Sequence, residues 1–223
     1  MSILNLPINR IWQVKLPTVI RYMDQQYIDH FFKTGELRFS SFRRFGQHKD
    51  EMRHDKMEGM AGLQLNYSME QTLASVGWFG SEAYVFCTST IESDELMSKF
   101  QTNGYFRIKD TAAFGAGISN HIPDYVIGFE GTCIYRNQRT FRESFDRPLI
   151  GTPPLNDPNA AEAWAVNLEQ QIHADSKLTP YFLKELGHAE QNEYRFIWCS
   201  SSPTDETIDI TCPEVIRFCE KVT

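Results

Sequence analysis

A chain of 223 residues that is 41% hydrophobic and 13% aromatic carries enough apolar mass to bury its own core, which excludes a disordered polypeptide. Its formal net charge of −7 speaks against a general nucleic-acid coat. Five scattered cysteines (Cys87, Cys133, Cys199, Cys212, Cys219) form no Cys-x-x-Cys pair, which argues against a structural zinc site and a disulfide framework.

The apolar runs fall short of a membrane span, and Met1-Ser2-Ile3-Leu4-Asn5 lacks the basic start and apolar stretch of a secretory signal. A reduced cytoplasmic protein without a membrane partner is expected. Along the chain, Arg10 to Lys15 reads as a first strand. Pro17 suits a first helical position and Gly35 a helix stop. Between them Val19, Ile20, Met23, Tyr27 and Phe31 recur at helical spacing and predict one amphipathic helix. Glu36 to Ser41 returns to a strand, with Leu37 and Phe39 on one side and Arg38 and Ser40 on the other. The charged, Met-rich segment 47–62 reads as a loop with some helix.

A buried strand is expected over Ala83 to Ser89, a short helix over Asp94 to Phe100, and a strand over Gly104 to Lys109. Asp110 suits the cap of a helix from Thr111 to about His121. Tyr125 to Phe129 and Thr132 to Tyr135 read as a hairpin around Glu130-Gly131. Gly151 to Pro158 is a loop by its Gly, Pro, Asn and Asp content. Helices follow over Ala160 to His173 and Thr179 to Leu186, the latter ended by Gly187. Strands over Glu193 to Cys199 and Glu206 to Ile210 precede a last helix over Pro213 to Lys221. Irregular alternation with hairpins favours an α+β domain spanning 1–223.

The richest motif is Gln191-Asn192-Glu193-Tyr194-Arg195. On a strand Gln191, Glu193 and Arg195 share one face, while Tyr194, Phe196 and Trp198 share the other and anchor it. A carboxylate so held can stabilise an oxocarbenium-like sugar and bind a ribose hydroxyl, with an amide two residues earlier orienting the acceptor. The bland alternative is a surface ion pair of Glu193 with Arg195. In Leu37-Arg38-Phe39-Ser40-Ser41, a strand-borne arginine with a neighbouring hydroxyl suits a pyrophosphate. Thr88-Ser89-Thr90 places hydroxyls at a strand end, where a ribose or phosphate can be met. Asp50, His54 and Glu58 share a face if helical and give a metal-dependent hydrolase as a third reading. No tight ligand motif accompanies them, so no metal is expected.

The order of these motifs resembles a bacterial domain-of-unknown-function family, DUF twenty-nine seventy-one, from about Ile11 to Trp198. The likeness rests on Leu37-Arg38-Phe39-Ser40-Ser41, Phe86-Cys87-Thr88-Ser89 and Glu193-Tyr194-Arg195. The chain departs from that pattern at Gln47-His48-Lys49-Asp50-Glu51, at Met97-Ser98 and at Trp12-Gln13-Val14. The order also resembles the ADP-ribosyltransferase superfamily, whose arginine usually lies on the first strand.

That resemblance implies split β-sheets flanked by helices, NAD as substrate, Glu193 as the catalytic carboxylate and Gln191 facing the acceptor. It further implies Arg38, Ser40, Thr88, Ser89, Thr90 and Arg195 as the residues around NAD. A protein or nucleic-acid acceptor, a role as a bacterial toxin or phage-defence effector, and an antitoxin or other neutralising partner follow from the same resemblance. A non-catalytic nucleotide- or partner-binding protein of the same fold is the alternative.

Overall fold

The first described element is a strand rather than a helix. The computed structural model describes residues 17–45, 57–68, 70–149, 151, 154, 156–176, 178–204 and 207–222. The strand expected over Arg10 to Lys15 lies outside them. The predicted helix from Pro17 divides into β1 (Val19–Met23) and α1 (Gln25–Thr34). The β-branched pair Val19-Ile20 belongs to β1, which pairs with later strands, and Asp24 takes an extended conformation at the helix start. Gly35 ends α1 at φ +79, as expected, and a Cβ there would meet the Pro213 backbone nitrogen at 2.4 Å.

After β2 (Glu36–Ser41) and the turn α2 (Phe42–Phe45) come two strands that the sequence pattern does not announce, β3 (Met60–Tyr67) and β4 (Gln71–Trp78). Then β5 (Ala83–Ser89), α3 (Asp94–Lys99), β6 (Gly104–Ile108) and α4 (Thr111–Ser119) fall where expected. The Asp110 side chain caps α4 by accepting from Ala113 N at 3.0 Å.

The expected hairpin is instead one strand, β7 (Tyr125–Thr132), followed by β8 (Ile134–Arg136) and β9 (Thr140–Ser144). Gly131 is not a turn residue. It lies within the strand opposite Arg195, and a Cβ there would make ordinary contact with the Phe182 ring at 3.4 Å. The long helix is α5 (Pro158–Ser176).

The helix expected over Thr179 to Leu186 stops early. Only α6 (Thr179–Phe182) is helical, and β10 (Leu183–Glu185) and a 3-10 turn (Leu186–Gln191) follow. β11 (Glu193–Ser200) and β12 (Thr207–Thr211) stand as predicted. The expected last helix is a 3-10 turn (Pro213–Phe218) leading into β13 (Cys219–Lys221), which pairs with β6. Among the described residues no helix is long and apolar enough to cross a membrane.

The result is an α+β fold with a main sheet ordered β12-β2-β5-β1-β6-β13, to which β11 and β7 are added beyond β5. One face of this sheet packs on α1, α4 and the 3-10 turn over Pro213–Phe218. Its core holds Phe31, Phe39, Phe86, Phe114, Phe196 and Trp198. Each such side chain contributes about 1.5–3 kcal/mol by leaving water. A second core lies between β3, β9, β10 and α5, around Leu63, Leu65, Phe141 and Leu183. A third, with Phe42, Val85, Phe182 and Ile197, lies on the face of β5 and β11 opposite Phe86 and Phe196.

Candidate functional site: a cavity where the central strand changes neighbours

β5 places the site because its two edges are used differently. One edge is bonded to β11 along its length, from Ala83 opposite Cys199 to Ser89 opposite Glu193. The other is shared: Tyr84 and Val85 pair with Ser41 and Ser40 of β2, while Ser89 pairs with Ile20 of β1. Between Val85 and Ser89 those neighbours diverge, and residues of both line a cavity of about 710 Å³. That volume lies within the range of about 300–1,000 Å³ usual for small-molecule and cofactor sites. Ile20, Ser89 and Glu193 therefore stand in one row across three adjacent strands. The outer two strands are about 10 Å apart at the usual interstrand spacing.

The alternation of β11 divides its side chains as predicted. Tyr194, Phe196 and Trp198 enter the main core, and Ile197 and Cys199 enter the core on the other face. Glu193 and Arg195 share that second face, and both are buried. Glu193 receives a hydrogen bond from Arg195 Nε at 2.6 Å and an ion pair from the Lys184 ammonium. Below it, Arg195 grips Glu58 with both terminal nitrogens, at 2.8 and 3.0 Å, and donates to the Tyr181 carbonyl at 2.7 Å. Burial opposes the charge of Glu193, but the Arg195 and Lys184 cations overcome it and hold the carboxyl well below the ordinary range. Glu193 is thus an ionised carboxylate at the cavity wall, already in contact with two cations.

Gln191 is not on the strand. Asn192, at φ 44 and ψ 47, is left-handed and ends the 3-10 turn, so the expected shared strand face with Glu193 does not form. The two side chains still meet through Lys184, whose Nζ donates to Gln191 Oε1 at 2.7 Å while pairing with Glu193. Gln191 Nε2 lies 3.2 Å from His188 Nδ1. Gln191, Glu193 and Lys184 all line the cavity.

The middle motif also lies at the cavity, but its hydroxyls are engaged. Thr88 Oγ1 donates to the Tyr194 carbonyl at 2.9 Å and Ser89 Oγ to the Gln191 carbonyl at 2.8 Å. They fix the start of β11 and thereby aim Glu193. Thr90 lies past the strand end and bonds the Asn192 carbonyl through its N–H at 2.9 Å; it does not line the cavity. Arg195 does not line it either, because its guanidinium is spent on Glu58 and Glu193 beneath the floor. Thr90 and Arg195 thus lie outside the cavity lining. Arg38 and Ser40 do face the cavity. Arg38 is largely exposed and holds Asp209 through Nε and Nη2 at 2.6 and 2.7 Å.

Two cavity residues escape the sequence pattern. Arg21, hidden inside a predicted helix, projects from β1 over the Phe86 ring at 4.4 Å and donates through Nη1 to the Cys87 carbonyl. Lys184, also assigned to a helix, lies on the three-residue β10 and is buried against Glu193. The β-branched pair Val19-Ile20 is the one local hint that Arg21 belongs to a strand; no comparable signal marks Lys184. Of the set Asp50, His54 and Glu58, Asp50 and His54 lie outside the described residues, and Glu58 is taken by Arg195. Cys87 beside the cavity is not a ready nucleophile, since burial above all pushes its thiol well up.

No protein-family model, no curated protein and no solved structure matches this chain.

Proposed function

We propose that the cavity binds NAD and that the protein is an ADP-ribosyltransferase-like enzyme, transferring ADP-ribose with release of nicotinamide. One observation carries this reading: an arginine on the first described strand, a Thr-Ser strand end and a Gln-x-Glu carboxylate converge on one cavity of cofactor size. Arg21 takes the place first given to Arg38 as the pyrophosphate anchor, because it lies on the strand beside Ser89, and Arg38 becomes a second cation at the rim. Glu193 accepts a hydroxyl of the nicotinamide ribose and stabilises positive charge as the glycosidic bond to nicotinamide breaks. The oxygen of water or of an acceptor then bonds to the anomeric carbon and gives up its proton. With water the products are ADP-ribose, nicotinamide and a proton. A protein or nucleic-acid acceptor, a toxin or phage-defence role and a neutralising partner rest on the motif resemblance alone.

The observation favouring a second reading is the engagement of both Glu193 oxygens by Arg195 and Lys184. In that reading the cavity binds a nucleotide or partner without chemistry. Nicotinamide release and the NAD-induced shift in melting temperature, measured on the same preparation, separate the two. Catalysis predicts both signals, with release falling about 10²–10³-fold in a folded Glu193→Gln variant. A melting shift without release leaves the binder. Neither signal from wild-type protein removes NAD altogether.

A further inference from the structure

A second constellation lies away from the cavity, where α4 meets the 3-10 turn that opens at Pro213. His121 follows the end of α4, and Cys212 and Glu214 flank Pro213. His121 Nε2 is 3.1 Å from Glu214 Oε1, and the ligand atoms of His121, Cys212 and Glu214 all lie within 4.8 Å of one another. An ion at the usual zinc distances, about 2.3 Å to sulfur and about 2.0–2.2 Å to nitrogen and oxygen, needs its donors closer together than about 4.5 Å, an approach that rotation of the exposed His121 and Glu214 side chains supplies.

The set is chemically coherent: imidazole, thiolate and carboxylate are the ordinary protein donors of zinc. It is also held in place. Cys212 is buried and its N–H donates to the Gly35 carbonyl at 3.0 Å. Gly117 lets α4 approach Val215 so closely that a Cβ would meet Val215 Cγ1 at 2.6 Å. The outer side is open, with the His121 and Glu214 side chains 35% and 51% exposed, so water can complete a tetrahedral set.

We propose that Cys212, His121 and Glu214 bind one zinc ion, which staples the end of α4 to the turn after β12. Binding displaces the Cys212 thiol proton to solvent, so affinity rises with pH. The proposal departs from the expectation of no metal. Sequence reading misses the site because His121 is far from the other two in the chain and no ligand spacing announces it. The proposal does not depend on NAD chemistry.

The test is titration of the metal-stripped full chain with zinc alone by calorimetry, and with cobalt(II) by absorption. We expect one ion per chain, a thiolate-to-cobalt charge-transfer band and a zinc-dependent rise in melting temperature. Cys212→Ser should abolish the band. The surface variants His121→Ala and Glu214→Gln, which leave the core untouched, should each weaken zinc by more than the roughly 10–100-fold typical of removing an outer-shell partner. Absence of stoichiometric binding, a cobalt complex without the thiolate band, or undiminished affinity in either surface variant overturns the site.

Discussion

Arg195 and Arg38 each hold a carboxylate through two guanidinium nitrogens, one beneath the cavity floor and the other at its rim. Arg195 is 1% exposed and also contacts Glu193, and Arg139 lies 3.9 Å from Glu58, so two acids and three cations are packed together out of solvent. Arg38 and Asp209 are both largely in solvent. The same bidentate chemistry therefore does opposite work. Beneath the floor every partner is needed, because a buried charge left alone has nowhere to go. At the rim Asp209 can be exchanged for a phosphate at small cost. The contrast separates residues that hold the carboxylate from residues that can meet a ligand.

Replacing Arg195 by Met should break the fold before anything else, since Glu58 and Glu193 both lose their main partner. A loss of about 3–5 kcal/mol is expected, read as a lower urea midpoint. Wild-type stability in this variant would erase the distinction. Acid gives the next effect. The folded carboxyl of Glu193 is held below its unfolded value of 4.5, so its contribution is complete above that pH and is lost as pH falls below it. Thermal melts from pH 7 down to pH 2 should show a steeper acid limb for wild type than for Glu193→Gln, and parallel limbs would deny the coupling. The smallest effect belongs to the rim. Arg38→Ala should change stability by no more than about 1 kcal/mol, less at high salt, while reducing the NAD-induced melting shift. A large loss of stability would show that the rim pair resembles the floor pair after all.

What the sequence made legible follows from local physics. The period-two pattern from Glu193 to Ser200 is a strand buried on both faces, and its aromatic and ionic stripes separate as the pattern requires. Gly35 and Asp110 mark helix ends because left-handed geometry and side-chain capping belong to single residues. Where the pattern misled, a tertiary contact decided. Val19 and Ile20 fit a helical period as well as a strand, and the open edges of β5 and β6 settled the matter. Gly131 resembles a turn but sits within β7, paired opposite Arg195. Lys184 sits in a helix-like run, and its place is fixed by the parallel pairing of β10 with β8 and by Glu193. The motif order pointed to the cavity; the identity of its cations came from strand placement.

Arg21 carries a mechanical consequence. Its Nη1 serves the Cys87 carbonyl in the stretch where β5 passes from β2 to β1, much as a neighbouring backbone amide would. A guest that claims this guanidinium must compete with a main-chain acceptor, so occupancy and the tautness of the central strand are tied together. Under the proposed NAD reading, amide exchange in the middle of β5 should therefore change when NAD is added.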